Sequence, residues 1–346
     1  MKFKKIFSII LSMAMLLSIG ACGSNEEESS QSVSQGSYEE IELPEGIKET
    51  QIIADRNFSH GFYVSSQTDG IATPIGQIKL DEDDMVTPQW RLGQWYCGQH
   101  YISDPAKYDT FNLLNGEHNV NGTKHIFTDA SKKFSIDTAT GAMSIRLLGT
   151  KEYTSNRKSG EGWPHLLLEY SMMKDYYLKD VKSVRFEMNF ELTKLAHGYK
   201  SAAEIDKNLH TAQFVFYCTL RNSNSTSKDY GQYIWFGMNL FDARYEIVPA
   251  YASQDSGKEV NTGAFIYQPI SSTYCKMPTR LGEEQKIDWN MLPRMKDAFQ
   301  AAQDARFLVN TKWEDLMLCK GNFGFEVTGT YDIAADISVL NLWVGE

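Results

Sequence analysis

Two stretches carry side chains able to do chemistry on a common surface. Between Val184 and Leu192 the apolar residues Val184, Phe186, Met188, Phe190 and Leu192 alternate with Arg185, Glu187, Asn189 and Glu191, the period of a half-buried strand. From Leu209 to Gln268 run LHTAQFVFYCTLRN and YGQYIWFGMNLFDARYEIVPAY, two aromatic-rich strands joined by a Ser/Asn loop. If Phe186, Met188, Phe190, Phe214, Phe216, Ile234, Phe236 and Met238 all enter one core, strand parity gathers Arg185, Glu187, Asn189, Gln213, Tyr217, Tyr233, Trp235 and Asn239 on the opposite face. The last strand adds Asn341 and Trp343 to it. Such a face suits a polysaccharide, because aromatic rings stack on sugar C–H surfaces while amides, Arg and carboxylates hydrogen-bond hydroxyls and uronates. Asp242 and Arg244, directly after that run, either orient a ligand at the rim or fix a strand-to-loop turn.

If a bond is broken there, Glu187, His210 and Tyr217 are the groups able to exchange a proton, with His165 and Tyr267 behind them, and Arg185 or Gln213 able to neutralise a uronate. Hydrolysis by paired carboxylates finds no pair: Glu187 and Glu191 share a face but stand about 13 Å apart at ~3.3 Å per residue, beyond the ~5–5.5 Å of a retaining enzyme. No Gly-x-Ser-x-Gly elbow and no Gly-rich phosphate loop occur, which disfavours a serine hydrolase or a nucleotide enzyme. Cys97, Cys218, Cys275 and Cys319 are far apart in sequence without a CxxC, so no metal site is expected from them. An exported chain could pair them in three ways, while parity sets Cys218 among Phe214, Phe216 and Leu220 as a buried free thiol. The acidic run at 81–84 reads as a solvated turn.

The beginning of the chain bears on compartment. Met1–Lys5 is basic, Ile6–Ile19 is apolar but too short to span a bilayer and remain there, and Ile19-Gly20-Ala21-Cys22 resembles the bacterial lipobox, with Cys22 as the lipidated residue. The polar, acidic, Ser-rich segment that follows cannot bury enough apolar surface to fold. The expected organisation is a signal peptide over 1–21, a disordered tether over 22–48 and one sandwich domain over 49–346, anchored outside the cell membrane by lipid. The chain has 34 basic and 44 acidic residues; loss of Lys2, Lys4 and Lys5 with the signal leaves 31 against 44, or −13. A surface this acidic excludes nucleic acid as a partner and leaves membrane attachment to the lipid.

Beyond the tether, short runs such as TQIIAD, GFYVSS, IGQIKL, PQWRLGQWYC and WPHLLLEY recur between turn residues. Near Trp289–Asp304, Leu292, Met295, Phe299 and Ala302 fall at helical steps, with Pro293 suited to a first turn. The pattern predicts an all-β chain, an antiparallel β-sandwich of the jelly-roll type with one peripheral helix.

That layout, from Thr50 to the end, resembles the concanavalin A-like lectin/glucanase superfamily. Its alginate-lyase-like members carry an Arg-x-Glu strand and a Gln-containing strand on the catalytic face, places that Arg185-Phe186-Glu187 and Gln213 could fill. Gln213 is followed by Phe214 and Val215 rather than by a Gln-x-His pattern, and Phe265-Ile266-Tyr267 only echoes the tyrosine–lysine strand. The Glu-x-Asp-x-x-Glu strand of the laminarinase-like branch is absent. The resemblance implies a polysaccharide ligand, with lyase or hydrolase activity as the alternative to binding; a non-catalytic surface interaction protein is the third reading. It identifies no cofactor.

Overall fold

A computed structural model describes residues 37–68, 73–172, 174–256 and 262–346. Cys22, the signal segment and the tether up to residue 36 lie outside the described residues. Residues 38–42, expected in the tether, run along the folded domain: the Glu39 backbone N–H donates to Thr273 O at 2.9 Å and Trp289 Nε1 donates to Glu39 Oε2 at 3.2 Å.

Two sheets face each other. In the first, the strands stand side by side as Glu284–Asn290, Ser183–His197, Tyr331–Gly345, Met143–Leu148, Lys132–Asp137, Lys124–Thr128 and Glu117–Asn121, with Glu49–Gln51 also paired to Tyr331–Gly345, eight among the described residues. The second has ten: Tyr251–Gln254, Phe265–Gln268, Tyr233–Asp242, Ala212–Asn222, Leu316–Val327, His165–Tyr170, Trp90–Gly93, Phe62–Ser65 and Pro74–Ile78, with Tyr176–Tyr177 beside Leu316–Val327. Pairing is antiparallel except between Tyr233–Asp242 and Phe265–Gln268 and between Phe62–Ser65 and Trp90–Gly93, so the second sheet is mixed. The all-β sandwich is as expected.

Alternation builds the core. Val184, Phe186, Met188, Phe190 and Leu192 of one sheet are buried and meet Phe214 and Phe216 of the other, with ring centroids 4.4 Å apart for Phe186–Phe216 and 5.0 Å for Phe190–Phe214. Helix Leu292–Asp304 has Pro293 in its first turn and buries Leu292, Met295, Ala298 and Ala302, the stripe that a 3.6-residue period puts on one side. Two short helical turns, Pro105–Asp109 and Gly149–Glu152, accompany it.

The same contacts correct the single polar face expected from parity. Phe186 and Phe216 point at each other from different sheets, so their polar neighbours point away from each other. Arg185, Glu187 and Asn189 decorate the outer face of the eight-stranded sheet. Gln213, Tyr217, Tyr233, Trp235 and Asn239 lie on the outer face of the ten-stranded sheet, across the whole core.

Candidate functional site

Strands Ala212–Asn222 and Tyr233–Asp242 are buried on both sides, apart from Arg221 and the partly buried Tyr233. On their outer side a second apolar cluster forms from Trp95, Leu167, Val215, Tyr217, Trp235, Ala264 and Ile266, with Tyr96, Tyr233 and Tyr251 packed against it. Two glycines let this floor lie flat. A Cβ on Gly237 would stand 2.1 Å from Tyr217 Cε1, and one on Gly93 would stand 2.6 Å from Trp95 Cζ3. The Tyr217 ring therefore lies across a glycine of the neighbouring strand, and the Trp95 ring across one two residues earlier in its own chain.

A polar row crosses one end of the floor. The register sets His165 opposite Glu326, Glu326 opposite Gln213, and Gln213 opposite Asp242, all at least nine-tenths buried. Trp163 Nε1 donates to Glu326 Oε2 at 3.3 Å. His165 Nε2 stands 3.7 Å from the same oxygen, beyond hydrogen-bond reach. Burial pushes the His165 imidazole down to about 4, so it is neutral beside that carboxylate. Gln213 Nε2 donates to Asp242 Oδ2 at 2.8 Å, Thr211 Oγ1 to Oδ1 at 2.7 Å, and Arg244 clasps both oxygens through Nε at 2.9 Å and Nη2 at 2.6 Å.

Asp242 reaches this row by a bulge. Val215 pairs with Asn239 but Phe214 pairs with Phe241, so Leu240 is the extra residue. Strict alternation would turn Asp242 into the core with Met238 and Leu240; the bulge reverses the parity. Below the row, Gln268 Nε2 donates to the Tyr217 hydroxyl. A second row sets Arg91 opposite Glu169 and Glu169 opposite Asn322, which pairs with Tyr217. Several polar atoms of the floor and its rows, among them Trp95 Nε1, Trp235 Nε1, Asn239 Oδ1, Asn322 Oδ1 and both ring nitrogens of His165, are buried without a hydrogen-bond partner among the described residues. Buried polar atoms are nearly always paired, so these stand out. Beside them, Gln213, Asn239, Asp242, Arg244, Tyr251 and Gln268 help line a cavity of about 150 Å³.

The remaining candidates lie elsewhere. Arg185 is held by Asp288 through Nε and Nη2, both at 2.7 Å, and Glu187 accepts from Asn341 Nδ2 at 2.7 Å. They are braced on the outer face of the opposite sheet, which Asn189 shares, and are not part of one site with Gln213. His210 is buried: Nδ1 accepts from the Asp206 N–H at 3.1 Å and Nε2 donates to Arg157 O at 2.9 Å, so the ring ties two loops together. Tyr217 is on the site, but burial pushes its phenol well above its ordinary value; it keeps its proton near neutral pH and cannot serve as the base. Asp242 and Arg244 are at the site as a closed pair. Glu326, Asn322 and Gln268 were missed by sequence reasoning. The signal for Glu326 was a lone acid between Phe325 and Val327, a position that alternation puts outside the core.

Cys97, Cys218, Cys275 and Cys319 are all free thiols. Among the described residues no group of three or more His, Cys, Asp or Glu side chains is placed to hold a metal.

No protein-family model matches the sequence and no curated protein matches it. Solved structures do. The family 12 xyloglucanase of Bacillus licheniformis is 12% identical with a TM-score of 0.40, covering 67% of this chain and 98% of its own. Endoglucanase Cel12A of Rhodothermus marinus is 10% identical at 0.36, over 66% and 96%. The xyloglucanase domain of NopAA, a type three effector of Sinorhizobium fredii solved with cellobiose, is 7% identical at 0.33, over 67% and 99%. Identities this low transfer no side chain of those enzymes onto this chain.

Proposed function

We propose that the outer face of the ten-stranded sheet binds a polysaccharide, and that lipid on Cys22 holds the chain at the outside of a bacterial membrane. The observation that supports the binding reading is an aromatic and aliphatic cluster edged by buried polar groups, several of whose atoms have no hydrogen-bond partner among the described residues. Sugars present that combination in reverse, with apolar C–H faces edged by hydroxyls.

Binding is favoured over cleavage because the carboxylates are engaged. Asp242 is tied to Arg244, Gln213 and Thr211, and Glu169 to Arg91. One arrangement supports a second reading, cleavage of the bound glycan: Glu326 stands 3.7 Å from the neutral His165, and the two would have to close by about 0.5 Å to share a proton task.

The test uses the soluble form beginning at residue 37, run in native gels cast with acidic and neutral polysaccharides, with a parallel assay for new chain ends. Retardation without new ends supports binding. New ends that vanish in Glu326→Gln support cleavage. Absence of both overturns the glycan reading. The tether is tested separately: a clickable fatty acid should label the full chain and fail to label Cys22→Ala, and equal labelling of both removes it.

A further inference from the structure

We infer that the pocket where Lys320 and Arg91 meet, at one end of this face, takes an anionic substituent of the bound polysaccharide, a carboxylate or a sulfate. The inference rests on the glycan reading above. The pocket encloses about 370 Å³ and is lined by Tyr63, Pro74, Pro88, Arg91, Glu169 and Lys320, among others.

Its place in the register makes it part of the same surface. Arg91, Glu169 and Asn322 form one row across three strands, and Lys320 precedes Asn322 by two residues, so both point outward from Leu316–Val327. The row continues through Tyr217 to the aromatic floor. A chain lying on the floor therefore passes Asn322 and reaches Lys320.

The charges decide what fits. The chain as a whole is acidic, with a net charge of −10, yet Lys320 feels the positive charges of Arg91 and Arg221 against the carboxylate of Glu169. That carboxylate is already bridged by Arg91 through Nε and Nη2, leaving the Lys320 ammonium with no carboxylate of its own among the described residues. Lys320 is exposed as a residue, but desolvation at its ammonium, and next the positive Arg91, hold it below its ordinary value. An anion entering the pocket offsets the repulsion from Arg91, because it supplies an opposite charge. A neutral sugar takes at most a hydrogen bond from Lys320 and brings no opposite charge.

The experiment is affinity electrophoresis of the soluble form with polygalacturonate and chondroitin sulfate as acidic probes, and mixed-linkage β-glucan as the neutral one. An acidic probe should bind more tightly than the glucan, and its binding should weaken as sodium chloride is added. Lys320→Met should weaken acidic binding about tenfold, the worth of one charge-assisted hydrogen bond, and Lys320→Glu more, while Lys320→Arg retains it. Lys194→Met, on the other sheet, should change nothing. The inference is overturned if the glucan binds as well as the acidic probes, or if folded Lys320→Met and Lys320→Glu bind acidic probes like the parent. Failure to bind any probe removes the glycan reading and this inference with it.

Discussion

Gln213 Nε2 donates to Asp242 Oδ2 at 2.8 Å across a β-bulge. The extra residue at Leu240 turns Asp242 out of the core and onto the floor's polar row, where Arg244 closes on it. One backbone irregularity thus decides whether this carboxylate joins the buried polar row or the hydrophobic interior.

Asp242 is 1% exposed, and the Arg244 side chain 12% exposed. Replacing Asp242 with Ala leaves a largely buried guanidinium and the Gln213 amide without their acceptor. The expected loss is about 3–5 kcal/mol, as for breaking one side of a buried ion pair, measured by urea denaturation. Asp242→Asn should cost less, because it keeps an acceptor for Gln213.

His165 makes stability depend on pH in a defined direction. Its folded value of about 4 lies below its ordinary 6.5, so the unfolded chain binds the proton first. The stabilisation is complete above about pH 6.5 and is lost as pH falls towards 4, amounting to roughly 3 kcal/mol. Thermal melts of the parent between these pH values should slope downward on acidification, and His165→Gln should flatten that part of the profile.

Gly237 leaves room for the Tyr217 ring. Its Cα would carry a Cβ 2.1 Å from Tyr217 Cε1, and Gln268 holds the hydroxyl end of that ring in place. Gly237→Ala should therefore cost about 1–3 kcal/mol by overpacking and weaken glycan retardation together with stability. Calorimetry and affinity gels on the same variant check both.

The thiols offer a simple count. Cys97, Cys218 and Cys275 are buried and Cys319 is partly exposed; burial pushes Cys275 up to about 12 and also raises Cys319. A thiol reagent added to the native soluble form should react slowly at one site, Cys319, and at four after denaturation. Fewer than four in denaturant would mean that a disulfide forms.

Much of the sandwich was legible because alternation is a local property. Val184 to Leu192 shows its inward side without any knowledge of its neighbours, and helix Leu292–Asp304 shows its stripe in the same way. What alternation cannot show is which of two sheets a strand joins. Phe186 and Phe214 both read as inward, yet they enter the core from opposite directions, so Glu187 and Gln213 ended on opposite surfaces. The bulge at Leu240 was equally hidden, since FGMNLFD has no proline or unusual glycine at that point to announce it. Glu326 and His165 come together through pairing of strands distant in sequence, a relationship that neither segment carries by itself. Trp235 was legible as a surface aromatic; that it would be 6% exposed within its own cluster was not.

The central claim is that the glycan surface is the outer face of the ten-stranded sheet and not that of the eight-stranded one. Affinity electrophoresis of Trp235→Ala beside Glu187→Ala, each confirmed as folded by its melting curve, tests it directly. Trp235→Ala should lose most retardation while Glu187→Ala retains that of the parent. Retardation lost in Glu187→Ala and kept in Trp235→Ala would contradict the account and move the ligand to the other side of the molecule.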